Sequence, residues 1–276
     1  MSAILLVDNL FSPVHFPDVV LAANEELAGS EAEMFSTLRR EDGWEPTTYN
    51  NDAWLKATHT QPRAVNMVCL WAHNLRGETY RLQVSNNDFT AASDIETLVD
   101  VVIPSNPGTG SPDDALGVLT EDLMWIKRVP TRYGVGIRHF VPVMGANQRP
   151  RINGIVGMGC AFDRDRGDLV DANDFRAAEQ RSPRGVVGYG EADVSRSGAV
   201  PISLTTLSAY EDFRYHLQRY DGTAFGAPSP GLLIFDESRT EQAVMIHRPQ
   251  GRSAFTQRPN YFYPSGELAF EEHDHA

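Results

Sequence analysis

The stretch from Arg138 to Phe162 reads Arg-His-Phe-Val-Pro-Val-Met (138–144), Gly-Ala-Asn-Gln-Arg-Pro (145–150) and Arg-Ile-Asn-Gly-Ile-Val-Gly-Met-Gly-Cys-Ala-Phe (151–162). Phe140, Val141, Val143 and Met144 suit a pleated strand, and Ile152, Ile155, Val156, Met158 and Phe162 resume an apolar run. Between them Gly145–Pro150 carries turn chemistry, because Gly and Asn tolerate positive φ and Pro ends pairing. The stretch therefore reads as strand, turn, strand: a hairpin in an all-β domain. Gly154, Gly157 and Gly159 interrupt the second strand, which points to a bulge or to a close backbone approach.

The same grammar extends outward. Ala3–Leu10, Val19–Asn24 and Trp54–Thr60 read as strands, and Ala64–Ala72 is apolar enough for a buried central one. Thr79–Ser85 alternates cleanly, with Tyr80, Leu82 and Val84 on one face. Ile95–Ile103 and Leu119–Arg128 continue the pattern on either side of a proline-rich loop, Pro104–Pro112. The polar segment Asp163–Arg184 marks a boundary. Beyond it Val186–Ser195, Pro201–Thr206, Leu232–Phe235, Ala243–His247, Asn260–Tyr263 and Glu267–Glu271 are β-like.

One helix is predicted, near 208–221. Ser208-Ala-Tyr-Glu211 has the form of a capping box, Tyr210, Phe213, Leu217 and Tyr220 recur at helical spacing, and Gly222 is the expected stop.

Composition excludes several classes. The 276 residues hold 41% hydrophobic and 22% charged side chains, those of an ordinary globular chain rather than a disordered one. Lys and Arg number 24 against 37 Asp and Glu, and the formal charge of −13 argues against a nucleic-acid partner. Asp8 and Asn9 break the first apolar run and no basic segment precedes it, so no signal peptide is expected. No run approaches the ~18 apolar residues of a membrane span. Cys69 and Cys160 both sit in apolar strand-like runs and are expected to be free and buried.

No constellation points to catalysis, and no metal or cofactor is expected. Arg166-Gly167-Asp168 is the tripeptide read by integrins, but a three-residue match occurs often by chance and has no extracellular context here. Asp163, Asp165, Asp168, Asp171 and Asp174 lack the spacing of a calcium loop. His273 and His275 lie in a tail expected to be solvated, and the remaining histidines never pair at a metal spacing on one element. There is no Gly-x-Ser-x-Gly elbow and no phosphate-binding glycine loop.

Several segments, in order, resemble phage minor tail proteins that begin with a discoidin-type, or galactose-binding-like, jelly roll. They are Ala22-Ala-Asn24 through Leu38-Arg-Arg40 to Trp44, then Ala72-His-Asn-Leu75, Tyr80–Val84 and Arg138–Phe162. Val187–Gly190, Ile202–Leu204, Leu207–Glu211 and Leu232–Asp236 resemble the unit that follows in such proteins. Gly157-Met-Gly159 departs from the family's closing strand, which bears on ligand binding more than on fold.

The resemblance implies a mainly β chain: a jelly-roll sandwich over 1–165, a linker over 166–184 and a smaller β-rich domain with one amphipathic helix over 185–276. It also implies a virion protein of a tail tip or baseplate, assembled with other tail proteins in a homo-oligomeric ring. Tyr210, Phe213, Leu217 and Tyr220 would then form the adhesive face. The alternative is a carbohydrate-binding module contacting a host surface glycan, with Trp44, Tyr49 and Trp54 stacking on sugar faces.

Overall fold

The computed structural model describes residues 2–36, 42–71, 73–108, 111–120, 124–145, 148–163, 170–176, 179–181, 187–189, 193–202, 204, 206–224, 229–235, 243–248, 255–257 and 266–272. The chain is mainly β, of sandwich type, with a single α-helix among the described residues. Its strands are Ser2–Leu6 (β1), Val20–Ala23 (β2), Ala53–Trp71 (β3), Thr79–Ser85 (β4), Ile95–Val102 (β5), Val118–Leu119 (β6), Trp125–Val141 (β7), Asn153–Gly157 (β8) and Gly159–Asp163 (β9). There follow Val170–Arg176 (β10), Glu179–Arg181 (β11), Val187–Tyr189 (β12), Asp193–Ile202 (β13), the helix Leu207–Tyr220 (α1), Gly231–Ile234 (β14), Ala243–His247 (β15), Phe255–Gln257 (β16) and Gly266–Glu272 (β17).

Two compact units emerge. One holds Ser2–Ala161 with Gly231–Ala243, and the other holds Phe162–Pro230 with Val244–Asp274. The segment Gly231–Ala243 goes with the first unit, where β14 pairs antiparallel with β1 in the register Ile4↔Ile234 to Leu6↔Leu232. Strands β10 and β11 fall within 166–184, the stretch expected to be a linker.

The first unit is built on β3 and β7. Their seven-stranded sheet has the order β2-β3-β7-β4-β5, with β6 added on β7 and β8 on β3. Trp54–Thr60 and Ala64–Ala72 are expected as two strands; 54–60 and 64–71 are parts of the one long strand β3, and Ala72 lies outside the described residues. Its inward side chains alternate from Ala53 to His59, the pairing with β7 slips between Thr58 and Arg63, and the strand then becomes continuously buried from Met67 to Trp71. The slip falls at Gln61-Pro62, where proline cannot donate to a ladder.

The expected hairpin at 138–162 is corrected. Strands β7 and β8 do not pair with each other there: both pair with β3, Cys69 facing Ile126 on one side and Ile155 on the other. An almost wholly apolar strand is most stable with both edges satisfied, and β3 takes these two as neighbours. The glycines of β8 mark close approach. A Cβ on Gly154 would stand 2.2 Å from the Cys69 carbonyl oxygen, and one on Gly157 2.2 Å from that of Asp8.

The inner face covers a single core with Phe11, Phe35, Trp44, Leu55, Tyr80, Leu82, Trp125 and Ile137 among its members. Each such side chain contributes about 1.5–3 kcal/mol of apolar burial. Cys69 and Cys160 are free and buried, as expected.

In the second unit β13 and β17 pair antiparallel, β10 adds to β13, and β15 and β16 add to β17. The cap of helix α1 lies two residues earlier than expected. Thr206 is extended (φ −133, ψ 155) and its hydroxyl accepts from the Ala209 amide, so Ser208 lies inside the helix. Gly222, at φ 84, ends the helix in the left-handed conformation that glycine favours. Phe213 packs edge-on to Phe162 at 5.5 Å, and the Tyr220 hydroxyl lies 2.7 Å from the His247 carbonyl oxygen and 3.1 Å from that of Ala269. The expected strand at 260–263 lies outside the described residues.

Candidate functional site

Antiparallel pairing brings the start of β3, the end of β7 and the start of β4 to one end of the first unit, and the connecting loops lock together there. Trp44 exchanges backbone hydrogen bonds with Ile152, and its indole N–H donates to the Glu25 carbonyl. The ring is fully buried. Glu25 then fixes the loop that follows. Its carboxylate accepts from the Thr47 hydroxyl (2.9 Å), the Thr48 amide (2.8 Å), the Thr48 hydroxyl (2.7 Å) and the Asn51 amide group (3.3 Å). These donors, the Thr48 hydroxyl foremost, hold the Glu25 carboxyl below its ordinary range. Arg149 donates to the Thr47 carbonyl, and Asn24 bridges the Asp52 carbonyl and the Trp54 amide. On this pinned loop Tyr49 stands 47% exposed.

Trp54 opens the outward face of the sheet. Register places Trp54, Phe140, Arg81 and Asp100 in one cross-strand row, and Lys56, Arg138, Gln83 and Thr97 in the next. Trp54 and Phe140 are both partly exposed. Arg81 pairs with Asp100 at 3.0 Å, and Lys56 with Asp88 at 2.9 Å. Arg138 has a neutral partner: its Nε (3.0 Å) and Nη2 (2.7 Å) both donate to the Gln83 side-chain oxygen. The Gln83 amide nitrogen in turn donates to the Thr97 hydroxyl, which fixes the direction of the oxygen.

A third row holds Thr58, Gly136 and Ser85. Over Gly136 lies the ring of Phe89, so a Cβ there would stand 2.8 Å from the ring. The same ring lies 4.3 Å from the Arg138 guanidinium carbon. Phe89 reaches this place through strain. It and Asp88 are successive non-glycine residues at φ 63 and φ 57, each costing on the order of 1 kcal/mol. The Ser85 hydroxyl accepts from the Phe89 amide at 2.9 Å, and Asp88 accepts from the Thr58 hydroxyl at 2.7 Å, which holds the turn.

The three aromatics expected to meet sugar thus separate: Trp44 is core, while Tyr49 and Trp54 reach solvent at the loop end and on the outward face. Of the expected adhesive residues, Phe213 and Tyr220 are interior to their own unit, and Tyr210 and Leu217 are partly exposed. Arg166, Gly167, Asp168, His273 and His275 lie outside the described residues. Among the described residues no group of three or more His, Cys, Asp or Glu could hold a metal ion. No helix among them is long and apolar enough to cross a membrane. The sequence reading missed Phe89, Gln83 and Arg138 as surface residues. The shared outward parity of Arg81 and Gln83 on β4, and of Arg138 and Phe140 on β7, was the available signal.

No family model matches the chain, and no curated protein matches it. Among solved structures it is similar to chitosan-binding module 1 of a chitosanase/glucanase from Paenibacillus sp. IK-5, at 18% identity and TM-score 0.39, over 55% of this chain and 99% of that one. Module 2 of the same enzyme, in complex with chitotriose, gives 14% identity and TM-score 0.39 over 54% and 100%. The module CBM32-3 of a family 31 glycoside hydrolase from Clostridium perfringens gives 10% and 0.39 over 51% and 91%. These findings correct the tail-protein expectation. None of these three structures is a tail tip or baseplate component, and no family model of any kind matches the chain. The virion location, the tail-protein partners and the assembled ring fall with it.

Proposed function

We propose that this chain is a non-catalytic carbohydrate-binding module. Its ligand surface runs from Tyr49 on the pinned loop to Trp54 and Phe140 on the outward face of the first unit. The observation that carries the reading is the cross-strand pair Trp54–Phe140, partly exposed, with the Arg81 guanidinium carbon 5.6 Å from the Phe140 ring centre. A pyranose presents an apolar C–H face and an equatorial belt of hydroxyls. Flat aromatic rings take the face, and planar donors at their edge take the hydroxyls. The loop that bears Tyr49 is fixed before any ligand arrives, so little ordering entropy opposes binding.

A glycan array probed with the intact protein and with Trp54→Ala tests this. Binding to at least one glycan class, lost in Trp54→Ala while the fold is kept, supports the reading. Silence across neutral, acidic and amino-sugar glycans overturns it.

A further inference from the structure

The outward face carries one guanidinium whose charge is not matched. Arg81 has Asp100, and Lys56 has Asp88, which also takes the Thr58 hydroxyl. Among the described residues Arg138 has no carboxylate partner: it meets the neutral oxygen of Gln83 and the rings of Phe89 and Phe140, and its Nη1 makes no hydrogen bond. The group is half-buried, and desolvation already weighs against its charge.

The surrounding fold nevertheless holds it in place with some care. Thr97 orients Gln83, Gln83 holds one side of the guanidinium fork, and Phe89 supplies a ring against it. Phe89 gets there only through two successive left-handed residues and a glycine beneath its ring. Strain kept at a surface site that leaves a cation without a counter-charge suggests that the counter-charge comes from outside.

We infer that Arg138 is the receptor for the carboxylate of a uronic-acid-bearing glycan whose sugar ring lies on Trp54 and Phe140. The row of Arg138 adjoins the row of Trp54 and Phe140, so one residue of an acidic chain can meet both. Lys56 and Arg81 flank the position, but Asp88 and Asp100 offset their charges, so Arg138 supplies the net positive charge of the patch. The inference rests on the carbohydrate-binding reading and adds to it a preference by charge.

Calorimetric titration of the intact protein with oligogalacturonate and with the same oligomer fully methyl-esterified tests it, since esterification removes the charge and adds only a methyl group at each carboxyl. The free acid is expected to bind at least about tenfold tighter, a preference that weakens as salt rises. Arg138→Gln should bring the acid down to the level of the ester, and Arg138→Lys should keep part of the preference. Equal binding of acid and ester by the native protein overturns the inference without needing any variant to fold. So does a preference that survives Arg138→Gln. Tight binding to neutral glycans alone overturns the charge preference and leaves the carbohydrate reading standing, whereas no binding to any glycan removes both. Capture of an acidic peptide in place of the oligomer also overturns it.

Discussion

The hydroxyl of Tyr80 lies 2.6 Å from Nδ1 of His139, and both side chains are fully buried among Phe11, Phe35 and Trp125. Burial pushes His139 down to about 3, so in the folded chain it stays neutral where an exposed histidine would take a proton. The unfolded chain binds that proton near pH 6.5. The contribution of neutral His139 is therefore complete above pH 6.5 and is lost as pH falls from there toward 3. Urea unfolding at pH 6.5 and pH 4.5 should show a loss on the order of 2 kcal/mol from this group. His216 in the second unit is held at about 4 and adds a slope of the same sign. Replacing His139 with Leu should shrink the slope. An unchanged slope would show that His139 is not the source.

Gly157 tolerates no side chain. Its would-be Cβ meets the Asp8 carbonyl at 2.2 Å, a backbone atom that can move only if β8 or the chain after β1 moves. Gly157→Ala should cost more than about 2 kcal/mol. Gly108→Ala, with nothing within 4 Å of the new methyl, should leave the midpoint unchanged. Thermal melts of the two variants against the native chain make the comparison.

Thr206→Ala removes the cap of α1. The lost hydrogen bond to the Ala209 amide should cost about 1 kcal/mol. Ser208→Ala should cost much less, because Ser208 lies within the helix rather than at its cap. If the two costs came out reversed, the helix would start where the sequence pattern alone places it.

Glu25 has one acceptor group and four donors from the loop beneath Tyr49. Glu25→Gln should speed hydrogen exchange at the Thr48 amide and weaken glycan binding, with the core melt little changed. Exchange at Thr48 as slow as in the native chain would show that the carboxylate does not hold the loop.

Much of the first sheet was legible. Thr79–Ser85 points Tyr80, Leu82 and Val84 inward as its alternation says, and the glycines of 154–157 mark close backbone approach as their spacing suggests. Strand pairing was less legible. Strands close in sequence usually pair, yet β3 lies between β7 and β8, a choice made by long-range burial that no local pattern records. Trp44 flanks a polar segment and so looked available, but its neighbours fold over it and Glu25 takes its N–H. Phe89 could not have been read at all, since a bulky residue at positive φ runs against every local preference.

The most direct test of the carbohydrate-binding account uses the tryptophans themselves. Of the four, Trp44, Trp71 and Trp125 are at most 3% exposed, leaving Trp54 as the one that a solvent quencher can reach readily. Acrylamide quenching of tryptophan fluorescence should fall sharply when a glycan selected on the array saturates the protein, and the quenchable fraction should be absent from Trp54→Ala. Quenching that is the same with and without saturating glycan would place the bound sugar away from Trp54 and contradict the account.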